Sequence, residues 1–331
     1  MADVIRATGL VKRFGKVTAL DGLDLSVPEG TVLGLLGPNG SGKTTAVSIL
    51  TTLLDADEGT ATVAGADVRA EPAAVRRQIG LSGQYAAVDE VLTGFENLDM
   101  IGRLYRLGRK SSRVRARELL ERFSLTEAGD RPVKTYSGGM RRRLDLAGAL
   151  VAKPSVLFLD EPTTGLDPAS RTELWAVIRE LVGQGTTLLL TTQYLEEADH
   201  LADDILVIDH GRAIARGTAD ELKRQIGGER IELTVATVAE VAKAGAVLAR
   251  VAVGDLGTDG RTIVAPIRGG ARVLSRALDE LAAEGVDIRD IGLRLPTLDE
   301  VFLSLTGHRA ESPDEAAATD DAAPTLLEVA P

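Results

Sequence analysis

Nine residues, Gly37-Pro38-Asn39-Gly40-Ser41-Gly42-Lys43-Thr44-Thr45, constrain this chain more than any other segment. They directly follow the apolar run Val32-Leu33-Gly34-Leu35-Leu36 and precede an apolar stretch from Ala46 to Leu54. A buried strand, a glycine-rich turn and a helix in that order predict an α/β domain with a largely parallel sheet. The spacing Gly-x-x-x-x-Gly-Lys-Thr also carries chemistry. Glycines let backbone N–H groups converge on a phosphate, Lys43 can reach the β- and γ-phosphates, and the Thr44 hydroxyl suits Mg²⁺. A helix beginning near Lys43 adds the positive end of its dipole. The alternative is a glycine-rich turn with no ligand, and the strand before it and helix after it favour the phosphate cradle.

At 331 residues the chain is long enough for two domains, each with its own core. No apolar stretch reaches the roughly 18–20 residues that span a bilayer. Met1-Ala2-Asp3-Val4 does not start a secretory leader, and there is no cysteine, so a cytosolic location without disulfides or cysteine-bound metal is expected. With three histidines, His200, His210 and His308, a histidine-rich metal centre is disfavoured as well. A net charge of −11 argues against sequence-independent nucleic-acid binding, although local basic patches remain compatible with it.

Residues Val4 to Val27 read as short strands broken at Gly15 and at Asp21-Gly22, and from Thr31 buried strands alternate with helices. Two helical periods, Phe95 to Leu107 and Val114 to Phe123, occur without a strand between them and predict a helical insertion. After a helix from Ala219 to Gln225, Gly227-Gly228 marks a boundary, giving domains 1–226 and 229–307. The second reads strand, helix, strand, strand, helix, strand, with strands at Ile231 to Thr234, Val251 to Val253, Thr262 to Ile267 and Asp287 to Leu293. That order predicts a smaller α+β domain, ferredoxin-like in outline. Residues 308–331 are acidic, rich in Ala and Pro and aperiodic, and are expected to be a disordered tail.

Ser155-Val156-Leu157-Phe158-Leu159-Asp160-Glu161-Pro162 is an apolar strand ending in two acids, where an α/β sheet binds its ligands. Asp160 is placed to hold Mg²⁺ through water, and Glu161 to orient and partly deprotonate the water that attacks the γ-phosphoryl group. Capping of the next helix is the alternative role for adjacent acids. Between cradle and acids lies Tyr136-Ser137-Gly138-Gly139-Met140-Arg141, in which Ser137 fits an N-cap. Gln84, after Ile79-Gly80-Leu81-Ser82-Gly83, and Gly165-Leu166-Asp167 complete an ordered series.

This series resembles the nucleotide-binding subunit of ATP-binding-cassette (ABC) transporters, over roughly residues 4–225. The resemblance implies a P-loop ABC-type domain with antiparallel β and helical subdomains. It makes Gly37 to Thr45 the Walker A loop, Asp160 the Walker B acid, Glu161 the catalytic base and Gln84 the Mg²⁺-sensing glutamine. It makes Ser137, Gly138 and Gly139 the signature loop that reads the γ-phosphate bound by an opposite subunit, so that two ATP molecules lie in a head-to-tail homodimer. Asp167 then belongs to the loop communicating across that dimer. Phe14 matches the aromatic position that stacks on adenine; by itself a Phe beside a strand reads as core.

The attached C-terminal domain, the segment Thr191-Thr192-Gln193-Tyr194-Leu195-Glu196-Glu197-Ala198-Asp199 and the motif Leu298-Asp299-Glu300-Val301-Phe302-Leu303 are similar to the daunorubicin-resistance group of these subunits. That group, like this chain, has glutamine where most cassettes have histidine, here Gln193, in the position of the γ-phosphate sensor. The resemblance implies drug or antibiotic export, of anthracyclines for example, through a separate multi-span permease at the cytoplasmic face of the membrane, docked near residues 85–105. The drug itself is then handled mainly by the permease. The terminal motif fits helix packing and assembly equally, since Leu298, Val301 and Phe302 fall at i, i+3 and i+4. Two other readings are a soluble cassette ATPase of translation or DNA repair and a regulatory nucleotide-binding module. The single cassette, the lack of long heptads and of cysteine, and the intact Glu161 count against them.

Overall fold

The computed structural model describes residues 3–84, 86–226, 229–295 and 297–307. The expected tail, the Gly227-Gly228 boundary and Tyr85 lie outside them. The chain divides into two compact units, with the second beginning at Gly217.

In the first unit a hairpin of β1 (Asp3–Phe14) and β2 (Val17–Pro28) leads into β3 (Val32–Leu36) and α1 (Lys43–Leu50). There follow β4 (Glu58–Val63), β5 (Ala66–Asp67), α2 (Pro72–Gln78) and β6 (Ile79–Ser82). The helical insertion comprises α3 (Gly94–Leu104) and α4 (Arg109–Arg122), and α5 (Gly138–Ala149) returns the chain to β7 (Val156–Asp160). Next come α6 (Pro168–Gly183), β8 (Thr187–Thr192), α7 (Leu195–Leu201), β9 (Asp204–Asp209) and β10 (Arg212–Gly217).

One sheet has the order β2-β1-β4-β5, and its pairs β1–β2, β1–β4 and β4–β5 are antiparallel. The other has the order β10-β9-β3-β8-β7-β6, with β3, β6, β7, β8 and β9 parallel to their neighbours among these five. Every residue of β3, β7 and β8 is buried, as expected where both faces of a parallel sheet are covered. Leu35, Phe158 and Leu189 pack toward α1 and the antiparallel sheet, whereas Leu157, Leu159 and Leu190 pack toward α5, α6 and the helical insertion. A fully buried side chain of this size contributes about 1.5–3 kcal/mol, so the alternation along each strand anchors both layers.

The expected break at Asp21-Gly22 does not occur. β2 runs through it, and Gly22, at φ 79°, absorbs the register irregularities between Ala7 and Val11 opposite it. Gly15, at φ 58°, does make the turn.

The second unit contains α8 (Ala219–Ile226), β11 (Arg230–Val235), α9 (Val241–Leu248), β12 (Gly257–Asp259), β13 (Thr262–Pro266), α10 (Ala271–Ala283), β14 (Ile288–Arg294) and α11 (Leu298–Thr306). Its antiparallel sheet has the order β12-β13-β11-β14, which from β11 to β14 is a split βαβ arrangement. The second strand is not at Val251 to Val253. Val253 gives only one hydrogen bond, to Pro266 O, and pairing starts at Gly257, where the Gly260 turn sets the register with β13.

The Leu298 to Leu303 motif lies on α11, which packs against α8 and buries Leu298, Val301 and Phe302. Glu300 stands exposed, closes a capping box with Thr297 and accepts two bonds from Arg230, at 2.7 and 2.8 Å. Burial opposes its charge, yet the Arg230 and Thr297 bonds outweigh this and hold its carboxyl below the usual range.

Candidate nucleotide site

The turn after β3 is closed by backbone contact. A Cβ on Gly37 would lie 2.3 Å from Ile208 O, and Gly42, at φ 110°, passes so close to Ala19 that a Cβ there would meet its carbonyl at 2.5 Å. Side chains are therefore excluded from both ends of the loop, leaving its N–H groups to line the cradle. Ser41 Oγ is buried there with no hydrogen-bond partner among the described residues, an orphan that suits an oxygen-rich ligand.

Lys43 opens α1 and is buried; its Nζ donates to Gly37 O at 2.8 Å and Pro38 O at 3.1 Å and lies 3.5 Å from Glu161 Oε1. Thr44 Oγ1 donates to Asp160 Oδ1 at 3.3 Å. Gln84 Nε2 donates to Glu161 Oε2 at 3.4 Å. Five expected residues from the cradle, the β6 edge and the β7 edge thus converge. Glu161 adopts φ 49°, a left-handed conformation that costs a non-glycine residue about 1–3 kcal/mol. Its N–H is held by both the carbonyl and the hydroxyl of Thr191, each at 3.1 Å.

The remaining expected residues make no side-chain hydrogen bond to this cluster among the described residues. Gln193 follows β8 and is buried. Ser137 is the N-cap of α5, accepting from Met140 N at 3.3 Å, and is exposed beside Gly138. Gly139 faces Ser170, the residue that Asp167 binds in capping α6. Those bonds from Ser170 hold the Asp167 carboxyl below its usual range. Phe14 is 50% exposed, so it is not a core residue.

Three residues that the sequence reading passed over organise the site. Thr191, fully buried, donates to Asp160 Oδ1 while receiving the Glu161 N–H. Arg142, buried on α5, donates to Pro162 O at 2.7 Å, Glu161 O at 3.0 Å, Asp160 O at 3.1 Å and Gly83 O. Asp145, one turn further, accepts from Ser82 Oγ at 2.6 Å and Ala87 N at 2.7 Å. One helix therefore grips both sides of the Gln84 loop and the backbone of both acids. Burial pushes the Arg142 guanidinium below its ordinary value and the Asp145 carboxyl above its own. Nearby Glu197 is fully buried, takes the Trp175 indole N–H at 3.2 Å, and is likewise pushed up by desolvation. A charged residue in the segment after Ser137 was the available signal, but its target carbonyls come from distant strands.

Residues 20–164 match the family model described as ABC transporter, and residues 217–306 match that described as ATP-binding protein DrrA1-3-like, C-terminal domain. The chain is 60% identical over 310 residues to the daunorubicin resistance ATP-binding protein DrrA2 of Streptomyces coeruleorubidus, covering 93% of this chain and 96% of the relative. It is 51% identical over 320 residues to the daunorubicin/doxorubicin resistance ATP-binding protein DrrA of Streptomyces peucetius, covering 95% and 96%. Among solved structures, a nucleotide-free ATP-binding cassette from an ABC transporter superposes with a TM-score of 0.62 at 29% identity, over 67% of this chain and 94% of that one.

Proposed function

The chain belongs to the ABC ATP-binding subunits of the DrrA daunorubicin/doxorubicin-resistance family, and from that membership we propose that it hydrolyses ATP to drive export of a hydrophobic drug through a separate membrane permease. The observation that carries the reading is the convergence of Thr44 on Asp160 and of Lys43 and Gln84 on Glu161, each pair within 3.5 Å.

In this reading the loop from Gly37 to Thr45, including Pro38, Asn39, Gly40, Ser41 and Gly42, holds the ATP phosphates through backbone N–H groups and the α1 dipole. Lys43 exchanges its carbonyl partners for phosphate oxygens. Phe14 stacks on the adenine. Thr44, Asp160 and Gln84 are the residues that would hold Mg²⁺, which neutralises phosphate charge when bound. Glu161 accepts the proton of the attacking water, and its strained backbone aims the carboxylate at the cradle. Gln193 donates its amide to the γ-phosphate without titrating.

Ser137 and Gly138, exposed at the start of α5, complete with the buried Gly139 the site of a second copy of this chain, with Asp167 beside them. ATP binding closes such a homodimer and hydrolysis reopens it, giving the two states that drive transport. The permease docks at a groove of about 480 Å³ lined by Leu53, Ile79, Leu81, Val88, Ile101 and Leu104. The subunit then works at the cytoplasmic membrane face; no described helix is long and apolar enough to cross a membrane.

The test is ATP-dependent accumulation of an anthracycline in inverted vesicles carrying this chain and a co-expressed partner permease. Wild type should accumulate drug and Lys43→Ala should not. Accumulation that survives Lys43→Ala would overturn the reading.

A further inference from the structure

Between Arg103 and Arg117 the chain carries seven Arg or Lys and no acid, although its net charge is −11. Two of the seven are spent inside the fold: Arg103 pairs with Asp99, and Arg115 with Glu118 and Leu150 O. The other five, Arg106, Arg109, Lys110, Arg113 and Arg117, are exposed and make no ion pair with a described residue.

Their placement works against the helix that bears them. α4 starts after Gly108 with no side-chain cap and no acid in its first turn, so Arg109 and Lys110 sit at the positive end of its dipole. Arg109, Arg113 and Arg117 then follow at i, i+4 and i+8, where like charges repel. The guanidiniums of Arg113 and Arg117 both lie over the Phe95 ring, at 5.4 and 5.7 Å, which holds them side by side; Glu121 and Asp130 line the same pocket without pairing with them. A local arrangement that breaks capping, dipole and pair rules together marks a functional surface rather than an ordinary solvated face.

We propose that this cationic stripe binds the anionic headgroups of the membrane surface. Four to eight Lys or Arg clustered on a helix suit anionic lipid. The stripe is flanked by exposed apolar residues, Leu104 at 75%, Tyr105 at 41% and Val114 at 52%, which suit an interface and are wasted on a polyanion in water. Nucleic acid is disfavoured because the arginine row spans only about 12 Å, too short to follow a phosphate backbone. The stripe begins at Arg106, one residue beyond Tyr105, which lines the groove assigned above to the permease, so both contacts continue one surface. The lipid contact does not require that assignment to hold, and it is tested without permease.

Full-length protein is co-sedimented with vesicles of phosphatidylglycerol and phosphatidylcholine at about 1:2, and with phosphatidylcholine alone. Binding is expected only to the anionic vesicles, weakening at least tenfold at about 0.5 M salt. Neutralising Arg106, Arg109, Lys110, Arg113 and Arg117 to Gln should cut vesicle affinity more than a hundredfold, from about fivefold per charge, with ATP turnover unchanged. Equal binding to both vesicle types, or unchanged binding by the variant, overturns the proposal. So does tighter binding to duplex DNA than to vesicles, or binding to phosphatidylcholine vesicles that appears only with the permease present, which would assign the stripe to an acidic protein segment.

Discussion

Helices α4 and α5 pack against each other, and both are rich in arginine, yet their charges serve opposite ends. On α5 each of the three consecutive arginines has a partner: Arg141 pairs with Glu90 at 2.9 Å, Arg143 with Glu173 at 3.1 Å, and Arg142 is consumed by backbone carbonyls. On α4 four cations, Arg109, Lys110, Arg113 and Arg117, make no ion pair with a described residue. The difference shows that a cation count along a helix carries little meaning until its partners are known. An internal partner makes arginine a strut that fixes loop geometry, and the lack of one leaves a surface addressed to something outside the chain.

The largest expected effect breaks the strut. Arg142→Gln strands the carbonyls of Gly83, Asp160 and Glu161, and hydrogen bonds to a charged group are worth about 1.5–3 kcal/mol each. We expect kcat for ATP to fall about a hundredfold, KM to move less than about threefold, and Arg142→Lys to recover part of the loss. A fall in kcat that merely tracks the folded fraction in thermal melts would reduce Arg142 to a structural role.

A smaller effect concerns Glu197, whose carboxyl is pushed up by burial near Arg142. A raised carboxyl binds more protons folded than unfolded above the ordinary carboxylate value, so its contribution to stability falls as pH rises through that window. Glu197→Gln removes this term. The variant should gain stability relative to wild type as pH rises above the ordinary carboxylate value, by a few degrees in melting temperature. The opposite slope would mean that the Glu197 charge is needed to balance Arg142.

The smallest effect tests the surface side. Replacing Arg109, Arg113 and Arg117 with Gln relieves two like-charge pairs and should raise the melting temperature by about 1–3 °C. A drop would show that these arginines have structural partners after all, and the contrast between the helices would fail.

How much of this was legible in the sequence follows from the range of each interaction. Gly37 to Thr45 and Asp160-Glu161 are local patterns, because a backbone that bends around phosphate, or a strand that ends in acids, writes its demand into adjacent positions. Ser137 was readable as a cap for the same reason. Arg142, Asp145 and Thr191 were not, since their partners on β6, β7 and β8 are brought together only by sheet order. In the second unit the helix and strand order was legible, but Val251 to Val253 was apolar enough to suggest a strand that the Gly260 turn places elsewhere. The pairing of Glu300 was not legible because Arg230 is 70 residues away.

We propose Glu161, pinned by Thr191 and Arg142 beside Lys43, as the base of the ATPase. Glu161→Gln keeps the shape and removes the base, so single-turnover ATP cleavage measured beside ATP binding tests it most directly. ATP affinity should stay near wild type, cleavage should slow by about 10²–10⁴, and an ATP-bound dimer should accumulate on gel filtration. Cleavage at the wild-type rate with ATP bound would contradict it.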